Sequence, residues 1–286
     1  MVIVGLLALS MTNSIKLLLQ GIRYPNIIIG LICCIVAIIK IETSINADAM
    51  ISTGIVVLLM IITNLSNDIL DIETDSINKP NRPLIASPSA ISLFRNAILI
   101  CVVSVFILSF FMNLLAQCIA IASIPFLMFY SKLFKALPLI GNIFVAFYLA
   151  MVFIFIEIAI TNSVELMLIP SIFAFGISLI REIIKDIEDF NGDQASGIKT
   201  LPILIGINMS IVIANIIIII FLFFCMIMMI SYVYFYYVLT LFLLVFMPLF
   251  YLIFFLIKNP TSKSCADVSA LLKKITILGL IIIYIT

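Results

Sequence analysis

The chain has 286 residues, of which 65% are hydrophobic and 10% charged, with a formal net charge of +1. A soluble domain is roughly 45–50% apolar and about 25% charged, so this composition, with a mean hydropathy of +1.39, excludes a soluble globule and points to a bilayer. The apolar stretches are too long and too unalternating for membrane strands of about 10 residues. Each comes close to the roughly 20 residues a helix needs to cross.

In chain order, residues 1–22 begin apolar and carry Lys16, with Arg23 just beyond. They resemble a signal peptide, but no small-residue cleavage site precedes the next span, so an amphipathic or embedded N-terminal helix is expected. Apolar windows follow at 24–41, 49–67, 92–112, 114–131, 139–160, 164–184, 205–230, 232–257 and 271–286. This predicts an all-α polytopic membrane protein of about nine transmembrane helices, forming a single domain over 1–286. Residues 67–90 and 185–202 make its two chemically richest connectors.

With nine spans, the N-terminal segment and the connectors after spans 2, 4, 6 and 8 hold every lysine and arginine except Lys40. Positive residues mark the cytoplasmic face, which predicts a cell-membrane protein with a cytoplasmic N-terminus and an external C-terminus. The chain has no histidine, which removes the commonest neutral-pH base and the commonest zinc ligand. Its cysteines (Cys33, Cys34, Cys101, Cys118, Cys225 and Cys265) show no C-x-x-C spacing and read as reduced packing residues.

Acidic residues concentrate in two cytoplasmic clusters. The first holds Asn67, Asp68, Asp71, Glu73 and Asp75, and the second Glu182, Asp186, Glu188, Asp189 and Asp193. Both contain D-x-x-D-x-x-x-D, as Asp68, Asp71 and Asp75 and as Asp186, Asp189 and Asp193. If each span continues helically into its connector, these positions lie within about 60° of one another on one face; Gly192 could interrupt the second. Stacked like charges call for a cation. Oxygen-only ligation points to Mg²⁺ or Mn²⁺ rather than zinc, and Mg²⁺ shares its coordination with water and substrate phosphates. Acids at a helix end are commonly only solvated, but two copies of one spacing on one membrane face favour a metal–phosphate site. Lys79, Arg82, Arg181, Lys185 and Lys199 interleave with the acids as phosphate donors.

These residues resemble the UbiA superfamily of intramembrane prenyltransferases. The likeness rests on Asn67, Asp68, Asp71 and Asp75 followed by Asn81-Arg82-Pro83-Leu84, and on Asp186, Asp189 and Asp193. It extends from Arg23-Tyr24-Pro25-Asn26 to Gly206. The resemblance implies nine helices around a central intramembrane cavity and two Mg²⁺ ions, with Asn67, Asp71 and Asp75 holding one, and Asp189 and Asp193, assisted by Asp186, the other. Asp68 would stand nearby. Arg23, Asn26, Arg82, Lys132, Lys135, Lys185 and Lys199 are implied substrate contacts, though each basic residue also serves as a topology signal. Many members carry Y-x-x-x-K where this chain has Tyr130 and Phe134, leaving Lys132 and Lys135 both open as the lysine that faces substrate.

Within the superfamily, Arg181-Glu182 through Asp193, Gly197 to Pro202, and Tyr130 to Lys135 with Gly141-Asn142 are most like the members that build archaeal ether lipids. That implies transfer of geranylgeranyl from its diphosphate to the free hydroxyl of geranylgeranylglyceryl phosphate, forming the second ether. The expected partners are an isoprenoid diphosphate, a lipid-phosphate acceptor and membrane lipids, and no nucleic acid. One alternative is prenylation of an aromatic quinone precursor. Another is a cation-coupled transporter, disfavoured because Glu157 is nearly alone among ionisable residues within a span. A CDP-alcohol phosphotransferase would need a D-G-x-x-A-R-type motif, which is missing.

Overall fold

The computed structural model describes residues 14–41, 46–135, 137–231 and 235–285. Of the expected N-terminal helix, residues 14–22 (α1) are helical and 1–13 lie outside the described residues. The chain continues through α2 (Tyr24–Ile41), α3 (Ala47–Leu70), α4 (Ile72–Asn78), α5 (Pro83–Ala86), a 3₁₀ turn (Pro88–Ala90), α6 (Ile91–Ser109), α7 (Leu114–Met128), α8 (Tyr130–Leu133) and α9 (Ile140–Thr161). It then forms α10 (Leu168–Glu188), α11 (Phe190–Ala195), α12 (Leu201–Ile205), α13 (Ile207–Ser231), α14 (Phe235–Leu241), a π-turn (Phe242–Phe246), α15 (Met247–Lys258) and α16 (Ser262–Ile285). Among the described residues there is no strand.

Six helical segments are long and apolar enough to span: α2, α3, 88–109, α9, α13 and the continuous run 235–258. The other expected spans fall on α7, which is shorter, and on α10 and α16, which carry charges along part of their length. Those on α10 are Arg181, Glu182, Lys185, Asp186 and Glu188; those on α16 are Lys263, Asp267, Lys273 and Lys274. Local sequence sets the helix starts. Asn46 caps α3 by accepting from the Ala49 amide at 2.8 Å, and Asn113 caps α7 through the Ala116 amide at 3.0 Å.

The helices pack in a closed circuit, α2 on α3, α3 on α7, α7 on α9, α9 on α10, α10 on α16, and α16 back on α2. α6 packs outside α3 and α7, while α13 backs α10 and carries α15. Two apolar cores result, one among α2, α3, α6, α7 and α9, the other among α10 and α13 to α16. Large apolar side chains also face outward, such as Ile100, Phe111, Ile220 and Phe223, each at least 60% exposed. A soluble monomer does not tolerate such a girdle; in a bilayer it meets lipid tails.

Glu157 closes the end of the bundle remote from the aspartate motifs. Its buried carboxylate accepts from the amides of Glu165 (3.0 Å), Leu166 (2.6 Å) and Met167 (3.0 Å), pinning the α9–α10 loop. The acid that a transporter reading would need is thus satisfied by backbone. Glu157→Ala strands the buried Met167 amide, a loss of about 1–3 kcal/mol, and releases the more open Glu165 and Leu166 amides. We expect a clear fall in the melting temperature of the detergent-solubilised protein, with substrate KM values unchanged. An unshifted melting temperature would refute the pinning role.

Candidate active site

The circuit of helices encloses a cavity of about 810 Å³. Its body is apolar, with Ile29, Leu59, Met60, Ile119, Phe153 and Phe173 on the wall, while both aspartate motifs line its mouth. Lys40 and Glu165 mark its other end.

Neither motif forms one continuous helical face. α3 ends at Leu70, and Asp71 occupies a junction with φ −98° and ψ 16° before α4 begins. The second motif repeats the device: α10 ends at Glu188, Asp189 sits at the junction with φ −85° and ψ 5°, and α11 follows. In each, the first aspartate belongs to the long helix, the second to the bend and the third to the short helix. The three aspartates of each motif are thereby divided between two helices and the junction joining them. The interruption falls at Asp189, and Gly192 lies buried inside α11. α4 and α11 pack on each other, which brings the motifs together.

Cations separate the carboxylates. Asp68, 3% exposed, binds both Arg23 (2.6 Å) and Arg82 through Oδ1. Lys135 reaches Asp71 at 3.1 Å, and Lys79 crosses from the first connector to Asp189 of the second motif at 2.9 Å. Arg82 also approaches Asp75 at 3.9 Å. Asn142 donates to Asp186 at 2.8 Å. Glu182 is shared by Arg181 (2.7 Å) and Lys185 (3.6 Å). Burial raises the Asp75 carboxyl above the ordinary carboxylate range and pushes Asp193 up to about 6.

Most predicted site residues meet at this mouth: Arg23, Asn26, Asn67, Asp71, Asp75, Arg82, Lys135, Lys185, Asp186, Asp189 and Asp193 all line the cavity. Asp68 lies behind the wall, holding two of its arginines. Lys132 and Lys199 are exposed and off the wall. Lys135 is therefore the member of the Lys132/Lys135 pair that points inward. Arg23 stands between α1 and α2 at φ +57°, a left-handed conformation uncommon for a side-chain-bearing residue. Its bond to Asp68 holds it there.

Among the described residues, no three acidic or sulfur side chains stand close enough together to form a metal cage, because lysines and arginines occupy the space between them. The donor set nonetheless suits a hard cation. Its ligands are all oxygen, and Asp193 Oδ1 is buried with no hydrogen-bond partner. A cation arriving with its own phosphates would take over the neutralising role of Lys79 and Lys135.

The model of the UbiA prenyltransferase family matches residues 27–275. The chain belongs to this family. It is 37% identical over 153 residues to the digeranylgeranylglyceryl phosphate synthase of Sulfurisphaera tokodaii, covering 53% of this chain and 55% of that one. To the enzyme of the same name from Methanobrevibacter smithii it is 32% identical over 204 residues, 68% of this chain and 70% of that one. The chain spans about half the length of most curated relatives it matches. A solved structure concerning digeranylgeranylglyceryl phosphate synthase in membranes matches over 95% of this chain and 98% of its own, with a TM-score of 0.72 and 28% identity. A UbiA homolog from Archaeoglobus fulgidus, solved with GPP and Mg²⁺, shares the fold at 13% identity and a TM-score of 0.68, over 94% of this chain and 100% of that one.

In this UbiA chain the structure adds residues that the motifs do not reveal. Asn142 orients Asp186, and Tyr130 and Phe134 both stack on Phe144, at centroid distances of 5.5 and 4.4 Å. Phe134, standing where many UbiA members have lysine, thus extends an aromatic layer. Gly141 lets that loop close: a Cβ there would lie 2.7 Å from the Phe134 carbonyl oxygen. The Gly141-Asn142 pair was visible in sequence, but the contact it makes was not.

Proposed function

We propose that the protein transfers a geranylgeranyl group from geranylgeranyl diphosphate to the free hydroxyl of geranylgeranylglyceryl phosphate, forming the second ether of an archaeal-type lipid. The observation that carries this reading is the pair of bent aspartate motifs facing each other over the mouth of an apolar cavity. The likeness to digeranylgeranylglyceryl phosphate synthases supports the choice of acceptor.

Asn67, Asp71 and Asp75 would hold one Mg²⁺, and Asp189 and Asp193 a second. When bound, the metal supplies Lewis-acid neutralisation of the departing diphosphate. Lys79 and Lys135, released from their carboxylates, and Arg82, held in place by Asp68, donate to diphosphate oxygens as charge builds on them. The C1–O bond of the donor breaks and its electron pair leaves with the diphosphate. The acceptor hydroxyl oxygen then bonds to C1, and its proton passes to a diphosphate oxygen, so no histidine is required. The apolar wall keeps water from the allylic cation and receives the isoprenoid tail, while the Tyr130–Phe144 layer offers π-faces to positive charge. The membrane orientation we infer from the lysine and arginine distribution puts this mouth on the cytoplasmic side, with the N-terminus inside and the C-terminus outside.

The test supplies labelled geranylgeranyl diphosphate and Mg²⁺ to purified protein, with geranylgeranylglyceryl phosphate, 4-hydroxybenzoate or no acceptor. We expect a doubly prenylated glycerol phosphate that disappears with EDTA and returns with added Mg²⁺. Prenylated benzoate alone would overturn the acceptor, and EDTA-resistant transfer would overturn the metal.

A further inference from the structure

The cations at the mouth are unequally matched. On the motif side, Arg23, Arg82, Lys79 and Lys135 are each paired with an aspartate. On the α10–α16 side, Arg181 and Lys185 share a single carboxylate, that of Glu182. Lys273 has no acidic partner within 4 Å among the described residues. Its ammonium instead donates to the neutral Asn26 amide oxygen at 2.6 Å, joining α16 to α2. The Arg181 Nε is buried and lacks a hydrogen-bond partner.

Hydroxyls accompany these cations. Ser178, Arg181 and Lys185 lie one turn apart along the cavity face of α10, and Ser269, Lys273 and Thr276 do the same on α16. Because α10 and α16 pack directly together, the two stripes are neighbours. Lys274, the next residue, is exposed. One of two adjacent lysines is therefore committed to the cavity.

Such excess positive charge, partly desolvated and flanked by hydroxyl donors, suits an oxyanion held without metal. A prenyl diphosphate is served by the aspartate motifs. We propose that Lys273, with Arg181 and Asn26, forms a separate subsite for a phosphomonoester, the phosphate of the acceptor lipid, and that this subsite selects phosphorylated over neutral acceptors. The proposal rests on the acceptor assigned above. It gives Lys273 a function beyond topology and divides the mouth between a metal-bearing diphosphate site and a metal-free phosphate site.

Steady-state kinetics on Lys273→Gln, Lys273→Arg and Lys274→Gln test it, varying donor and acceptor independently. We expect Lys273→Gln to raise the KM for geranylgeranylglyceryl phosphate by on the order of 10- to 100-fold, the loss of one charge-assisted hydrogen bond, with the donor KM unchanged. Lys273→Arg should recover most of the loss, and Lys274→Gln should match the unsubstituted protein. In that protein, glycerol phosphate should compete with the acceptor and not with the donor, a readout that needs no variant to fold. An unchanged acceptor KM, an equal rise in both KM values, or competition of glycerol phosphate against the donor would overturn the subsite alone. If the unsubstituted protein prenylates benzoate and not the glycerol phosphate, the proposed function fails and the subsite with it.

Discussion

Asp71→Asn and Asp189→Asn each lower Mg²⁺-dependent transfer by on the order of 10²–10³-fold, the scale of removing one preorganised electrostatic contact, while leaving the fold intact. Both residues occupy the bends between a long and a short helix, where asparagine is well tolerated. Their ion pairs with Lys135 and Lys79 are partly open to water, and such pairs contribute only about 0–1 kcal/mol. Activity and stability should therefore separate. A Mg²⁺ titration of the rate beside a melting curve checks this, and full activity at saturating Mg²⁺ would exclude these aspartates as ligands. Because the two motifs act on one leaving group, the double variant should lose far less than the product of the single losses.

Asp68→Ala should be the most destabilising single change at the mouth. Asp68 is buried, and its Oδ1 accepts from both Arg23 and Arg82. Removing it leaves two neighbouring guanidinium groups without their counter-charge, and breaking a buried pair this way costs about 3–5 kcal/mol. The lower end applies, since the arginine side chains are 26% and 22% exposed. The loss also releases Arg23 from the bond that holds its left-handed turn between α1 and α2. We expect a large drop in melting temperature, partly recovered by adding Arg82→Gln, because that removes one of the stranded charges. Equal melting curves for Asp68→Ala and the unsubstituted protein would rule out this anchoring role. Asp68 is then a positioning residue that holds Arg23 and Arg82 on the cavity wall.

The aspartate motifs show how far a spacing pattern carries. D-x-x-D-x-x-x-D twice over is enough to single out residues that line the mouth of the cavity. It does not reveal the bends at Asp71 and Asp189, because a helical projection assumes the helix continues. In the folded chain each long helix ends at its junction, and the short helices α4 and α11 pack on each other. The lysines show the same limit. Lys132 and Lys135 are equivalent in composition and in topology signal, yet only Lys135 reaches Asp71.

Composition and patterning were enough to read what the bilayer demands: helices, and roughly where the long apolar ones run. These follow from local properties, namely backbone satisfaction in lipid and the cost of burying charge. The tertiary structure alone decided which charges meet. Lys79 with Asp189, Asn142 with Asp186 and Lys273 with Asn26 join residues 110, 44 and 247 positions apart. Such pairings depend on the closed circuit of α2, α3, α7, α9, α10 and α16, which brings helices distant in sequence to one cavity.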